Sequence, residues 1–549
     1  MATVGIDLGT YFSSVGVMTG GKAEAILNKD GTRATHSVVS FPSEKETLVG
    51  NIAYECEFLY PNETIKEVKR LMGKEKTAIT VRGSSYSPQE ISAMILKSLC
   101  SDVEREREFD EPVEKAVITI PAAFNSTQRA ATLEAAKIAG IDVLGLAEEP
   151  LAALVANGNL TDYVGKCISI VDIGGGTSDG CTVEVKKDDH GKIILNCICI
   201  VGDSHLGGVD FDRALFEHIL KKDFAGVSLN AEEKVELETK SEIAKRKLSE
   251  KMEVEFKVMV GGQRQKIHIT RKEFEKAVSE ELERVQKFLD EMKAYKIPDR
   301  VILCGGSTHV PKIEAMIKET FAGIPVGGEN RELAVAEGAA ILAQMYANGA
   351  EQAVFEKTDM DADKGAGNTG DDQTEDGQTD KGENGSGENG SDQDSTQMDL
   401  IPVKLNMVCS RSYGIGAFVH ADKIMVCNVI FRNEAVPTVR ETHSFVTSKD
   451  GMSECDFPIY EGTGNERYVE LSEAEKIGMC TLKIKGNLPK GTPLFVRVEA
   501  GIDGVLHFTG REESGNTEIT AEFKTKTLLT EEKLETAKQV VDDVYAKVV

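Results

Sequence analysis

The sequence lacks the features that would tie it to a membrane or a nucleic acid. No apolar run approaches the ~20 residues needed to span a bilayer. Positive charge is scarce: Lys+Arg total 64 against Asp+Glu 91 in 549 residues, a formal net charge of -27. A deficit that large argues against nucleic acid or an anionic membrane surface as the main partner. The first residues, Met1-Ala2-Thr3-Val4-Gly5-Ile6-Asp7, run straight into a strand-like stretch. They hold no basic n-region, so no signal peptide is expected and a cytoplasmic location is. Among the 11 cysteines there is no Cys-x-x-Cys, and no pair with a nearby His that would suit zinc. Their odd number and their apolar settings, as at Cys197 and Cys199, are those of reduced buried thiols. There is no Gly-x-x-x-x-Gly-Lys-Ser/Thr either, which excludes a P-loop.

What remains is ordinary globular composition, 40% hydrophobic and 28% charged, in a chain long enough for three or four domains. Residues 356–399 stand apart, with 14 acidic residues, three lysines and no Val, Ile, Leu or aromatic side chain. Such a stretch cannot bury enough apolar surface to offset its ordering entropy, so a disordered acidic linker is expected there. Its Asp359-x-Asp361-x-Asp363 fails as a calcium loop, because the sixth position is Lys364 and the twelfth Gly370. Before the linker, residues 1–350 alternate buried-strand runs with helical patterns, which reads as α/β. After it, residues 400–528 show short alternating runs of β-sandwich texture. Residues 529–549 read as one helix, capped by Thr530, with Leu534, Ala537, Val541, Val544 and Val548 in one stripe.

A weak internal repeat carries the chemistry. Ile6-Asp7-Leu8-Gly9-Thr10 and Val171-Asp172-Ile173-Gly174-Gly175-Gly176-Thr177 share one grammar: an apolar strand ends in Asp, then glycine, then a hydroxyl residue, then a second strand. Glycines in a tight turn let backbone N–H groups approach a phosphate, and the Thr adds a donor. The Asp can hold Mg2+ against the same phosphates, directly or through water. Two such turns facing one cleft would clamp a nucleoside triphosphate. A third glycine loop, Cys304-Gly305-Gly306-Ser307-Thr308, also follows an apolar strand and could lie against base or ribose.

These strings make the N-terminal region resemble closely the nucleotide-binding domain of the seventy-kilodalton heat-shock (DnaK-type) chaperones. Further matches are Lys69-Arg70-Leu71-Met72-Gly73, Ile120-Pro121-Ala122-Ala123-Phe124-Asn125, Glu149-Pro150, His205-Leu-Gly-Gly-Val-Asp-Phe-Asp212 and Ala244-Lys-Arg-Lys-Leu-Ser249. The resemblance implies an actin-like (ribonuclease H-like) two-lobed α/β ATPase domain, a β-sandwich that binds peptide, and one terminal helix as a truncated lid. It implies that Asp7 and Asp172 organise Mg2+, with potassium as a second candidate ion. Gly9, Thr10, Tyr11, Phe12, Gly174, Gly175, Gly176 and Thr177 would hold phosphates, with Gly207 and Gly208 beside them. Lys69, Glu149, Asp172 and Thr177 would be catalytic, flanking the γ-phosphate and the attacking water. Glu242, Lys245, Arg246, Ser249, Gly305, Gly306, Ser307 and His309 would hold ribose and adenine. Tyr11 and Phe12 depart from the family, which has Thr followed by Tyr or Asn there, and His309 replaces the usual Arg.

The C-terminal region resembles the family's peptide-binding sandwich more weakly, through Tyr413-Gly414-Ile415 and Arg432-Asn433-x-x-Val436-Pro437-Thr438. Tyr413, Ile415, Phe418, Phe445 and Cys455 are its candidate client contacts. The resemblance implies an ATP-dependent chaperone served by a J-domain co-chaperone and a nucleotide-exchange factor. Two rivals stand beside it: a relative that holds ATP but hydrolyses it poorly for one partner complex, and a metabolite kinase on the same fold. Residues 399–408, matching the family's apolar interdomain tether, are interrupted by Pro402, Lys404 and Asn406, so weak coupling is expected. The terminal helix is expected to bury its stripe on the sandwich flank.

Overall fold

A computed structural model describes residues 3–74, 77–107, 112–158, 160–348, 403–419, 423–501, 506–512, 518–523 and 529–548. The acidic stretch 356–399 and the tether's Pro402 lie outside the described residues. Among the described residues no helix is long and apolar enough to cross a membrane.

Two mixed sheets with the same local plan make up the N-terminal region. In the first, Thr3–Asp7 runs parallel to Lys115–Ile120 and antiparallel to Phe12–Thr19. In the second, Cys167–Ile173 runs parallel to Arg300–Cys304 and antiparallel to Ser178–Lys187. Each Asp-Gly turn therefore closes a hairpin whose first strand is central and fully flanked. The central strand Cys167–Ile173 is apolar on both faces, with Ile168 and Ile170 on one and Val171 and Ile173 on the other at 0% exposure, the pattern of a strand covered on two sides. The sheets meet through two helices, Glu149–Ala156 and Ala334–Ala347, that cross in near contact. A Cβ on Gly338 would lie 1.8 Å from the Ala152 carbonyl oxygen, and one on Gly5 would lie 2.0 Å from the Ala340 nitrogen. Only glycine permits that approach, so the joint between the lobes is fixed by missing side chains.

Two further sheets form the C-terminal sandwich. A five-stranded one runs Tyr468–Val469, Lys423–Ile430, Ser412–Val419, Met452–Gly462, Ala474–Leu488 in spatial order. The four-stranded one runs Thr438–Val446, Pro493–Ala500, Leu506–Glu512, Glu518–Phe523. Ile430, Phe457, Leu482, Val496 and Phe508 fill the space between them, with the Phe457 and Phe508 rings 5.3 Å apart. All 11 cysteines are free thiols, nine of them buried.

Two expectations are corrected. The tether residues Val403–Asn406 form a strand parallel to Ile193–Asn196 at the edge of the second sheet. Side chains alternate along a strand, so Lys404 and Asn406 face outward while Val403 and Leu405 are buried in the lobe core. The polar residues interrupt nothing. The terminal helix Glu531–Tyr545 packs on the first lobe, not on the sandwich flank. Ala537 and Val541 join that lobe's core beside helices Pro88–Arg107 and Ser126–Ala139, with Leu534, Val540, Val544 and Val548 around them. Its amphipathic stripe is legible in sequence, but a stripe does not name the surface it covers. Thr530 caps the helix through Lys533 N as expected, Lys97 pairs with Asp542 at 2.5 Å, and the Tyr545 hydroxyl donates to Ser101 Oγ.

Val541 is 0% exposed, so Val541→Asp buries an unpaired charge and is expected to destabilise the first lobe by about 3 kcal/mol. Thr536→Asp, on the exposed face of the same helix, should cost almost nothing. Thermal melts of the two variants check this, and equal melting temperatures would place the helix elsewhere.

Candidate functional site

The two Asp-Gly turns meet across the cleft between the lobes. A Cβ on Gly176 would come within 2.4 Å of Thr10 Oγ1, and one on Gly175 within 2.6 Å of Tyr11 Cβ. Both glycines are therefore required by the close approach of two backbones. Behind the second turn, Gly207 starts the helix Gly208–Asp223. Gly208 N donates to Gly174 O at 3.0 Å and Val209 N to Gly175 O at 2.8 Å. Ser307 Oγ donates to Gly174 O at 2.9 Å. Gly305, at φ 79°, packs against Asp172, where a Cβ would meet Oδ1 at 2.4 Å. The three glycine loops singled out in sequence thus form one continuous floor.

Carboxylates crowd beneath that floor. Asp7 accepts from Thr119 Oγ1 at 3.1 Å. Lys69 Nζ donates to Glu149 Oε1 at 2.6 Å, both side chains buried, and stands 5.6 Å from the Phe124 ring. Asp179 was not anticipated. It sits directly opposite Asp172 in the hairpin register and accepts from Ala123 N at 3.1 Å. Its signal lay two residues past Thr177, on the return strand, where pairing rather than motif brings it back. Burial, then the charge of Glu149, pushes the Asp7 carboxyl up to about 7. Burial and Glu149 likewise push Asp179 up to about 7, and burial with Glu149, Asp179 and Asp7 raises Asp172 well above the usual range. Four carboxylates thus share one ammonium, and the pocket is short of positive charge.

That shortage fits a bound cation. Asp179 Oδ2 is buried without a hydrogen-bond partner. Among the described residues no three His, Cys, Asp or Glu side chains are placed to ligate one ion together. A Mg2+ that keeps most of its waters and takes one or two carboxylates plus phosphate oxygens suits this donor set.

The outer residues divide. Lys245 Nζ donates to Gly208 O at 3.0 Å and pairs with Asp212 at 2.8 Å. Glu242 is buried, 3.5 Å from Arg246. Arg246, Gly306 and His309 are exposed, and Ser249 is half-buried, one turn beyond Lys245. Gly9 lies against Phe12 O, and the Phe12 ring packs on His36 at 4.5 Å, turned toward that neighbour. Arg70, unassigned in sequence, crosses the cleft to Gly176 O at 2.8 Å and Asp210 Oδ2 at 2.5 Å. In the sandwich, Ile415 and Phe445 are core residues, Tyr413 and Cys455 pack against that core, and Phe418 is exposed.

The family model described as Hsp70 protein matches residues 3–362. The chain is 33% identical over 531 residues to Chaperone protein DnaK of Thermotoga petrophila, covering 93% of this chain and 78% of that one. It is 30% identical over 577 residues to Chaperone protein DnaK of Anaplasma marginale, covering 98% and 79%. Against the same-named protein of Thermotoga neapolitana the figures are 33% over 562 residues, covering 98% and 83%. The chain belongs to the Hsp70 family. It is accordingly an ATP-dependent chaperone and an ATPase, and the poorly hydrolysing alternative is not favoured.

The raised Asp179 pKa has a measurable sign. An acid held near 7 when folded and near 3.8 when unfolded contributes stability below pH 4 that is lost as pH rises toward 7. Without divalent cations, Asp179→Asn should therefore gain melting temperature relative to wild type as pH goes from about 5 to 7.5. A constant difference across that range would remove the charge crowding.

Proposed function

We propose that ATP binds with Mg2+ across the two Asp-Gly turns and is hydrolysed there to drive binding and release of extended client peptides. The observation that carries this reading is the buried cluster of Asp7, Asp172, Asp179 and Glu149 around the single ammonium of Lys69. Asp7 and Asp172 hold the hydrated ion, while Thr10, Gly174, Gly175, Gly176 and Thr177 offer N–H and hydroxyl donors to phosphate oxygens. Phosphoryl transfer asks mostly for positioning and neutralised charge, which Lys69 supplies at the transferred group, with Glu149 orienting it and the attacking water. Glu242, Lys245 and Ser307 bound the ribose side, and Arg246, Ser249, Gly306 and His309 the base. Residues 1–350 form a two-lobed actin-like unit and residues 400–528 the client sandwich. A J-domain co-chaperone and an exchange factor complete the cycle in the cytoplasm.

Lys69→Ala should lower single-turnover hydrolysis by about 10²–10³-fold. Mg·ATP affinity by calorimetry should stay within about threefold, because charge redistributes only in the transition state. Equal losses in both would take Lys69 out of this role.

The docked tether supports working coupling between the units. Leu405→Asp places a carboxylate in the second lobe's core and is expected to abolish stimulation of ATP hydrolysis by peptide, with the basal rate within about twofold. Lys404→Ser, on the outward face, should leave stimulation intact. Stimulation surviving Leu405→Asp would show that the strand carries no signal.

A further inference from the structure

A cavity of about 120 Å³ opens between the lobes, with Thr10, Tyr11, Tyr54, Lys66, Asp212 and Glu242 in its wall. None of Asp7, Lys69, Glu149, Asp172 or Asp179 lines it. Ligand-sized pockets run to roughly 300–1,000 Å³, so this space is small beside them. Thr10 and Tyr11 belong at once to the cavity wall and to the seam against Gly175 and Gly176. They are the partition between the open cavity and the carboxylate cluster.

Tyr11 is held in that partition from behind. Its hydroxyl donates to Tyr54 Oη at 3.2 Å. Its ring meets His36 edge-on at 5.4 Å and Tyr54 at 6.1 Å. His36 and Tyr54 stack face to face at 4.0 Å, and the His36 ring and backbone N both reach Asn51 Oδ1, at 2.8 and 3.0 Å. The pair is a fixed wall and Tyr11 the piece that leans on it.

We propose that Tyr11 is a gate of the nucleotide cleft: its ring must swing off His36 and release Tyr54 before a nucleoside triphosphate can be seated or lost. The proposal rests on the reading that phosphates lie between the two turns. The ring returns to the same partners once the ligand is in. Its release therefore enters both rate constants and largely cancels from their ratio, so Tyr11 and Tyr54 set the exchange rate more than the affinity.

Stopped-flow mixing of the full chain with N-methylanthraniloyl-ATP and Mg2+ tests this, and the chain's 0 tryptophans leave the probe as the signal. Tyr54→Phe, which removes one hydroxyl and keeps the stack, should speed both association and dissociation about fivefold. Tyr11→Thr, which also removes the ring contacts, should speed both by more than about tenfold. Unchanged rates in Tyr54→Phe and in a folded Tyr11→Thr, with wild type binding normally, would overturn the gate. If Tyr11→Thr does not fold, Tyr54→Phe decides alone. Faster dissociation with unchanged association would also overturn it, because that is a lost ligand contact. No Mg-dependent binding by wild type would overturn the nucleotide reading and the gate with it.

Discussion

One ammonium among four buried carboxylates is the constraint from which the site follows. The Lys69–Glu149 pair is within hydrogen-bond distance and almost without solvent, in surroundings where an unmatched charge is expensive. Glu149 therefore uses most of what Lys69 can offer, and Asp7, Asp172 and Asp179 are left with raised proton affinities. Such a site is at ease only when protonated or when a cation arrives. A hydrated divalent ion accompanied by phosphates brings positive charge to the carboxylates and negative charge to the N–H groups of the turns. On the proposed reading, ion and nucleotide would be recognised together, each correcting the charge that the other would leave unmatched.

The same site depends on atoms that are not there. The turns can close on one another because Gly175 and Gly176 have no Cβ, and the lobes can be joined by touching helices because Gly338 has none. The helix crossing fixes the distance between the lobes, and the turns convert that fixed distance into a narrow gap. Arg70, reaching from one lobe to Gly176 O and Asp210 in the other, adds a charged contact across the gap where the helices cannot reach.

Much of this was legible in the sequence, and most of the remainder was hidden because it depends on partners distant in the chain. Asp7 and Asp172 announce themselves because apolar strands end in them beside glycine. Asp179 does not, since it reaches the site only through the antiparallel register that returns it opposite Asp172. His36 and Tyr54 reach Tyr11 from a separate stretch of the first lobe, and no local pattern links them. The tether was misjudged by counting polar residues along it instead of along one face. Period-two alternation turns the same Lys404 and Asn406 from interruptions into an ordinary solvent face. The terminal helix shows the limit plainly: its stripe fixes which side is buried, while its partner is settled by a surface far away in the chain.

The loop at residues 121–126 draws the domains into one mechanism. On its inner side Ala123 N holds Asp179, and the Phe124 ring lies beside the Lys69 ammonium. On its outer side the sandwich grips it at three points. Arg411 donates to Ala123 O, Glu461 accepts from Ser126 Oγ at 2.6 Å, and Asn125 Nδ2 donates to Glu475 at 3.0 Å. The Glu461 carboxylate also takes Ser126 N at 3.2 Å, at the start of helix Ser126–Ala139, where the helix dipole favours negative charge. A loop held on both faces cannot shift on one without being felt on the other. Were the sandwich to release this loop, any bias its docking places on the carboxylate cluster would be matched by an equal bias of cluster charge on docking.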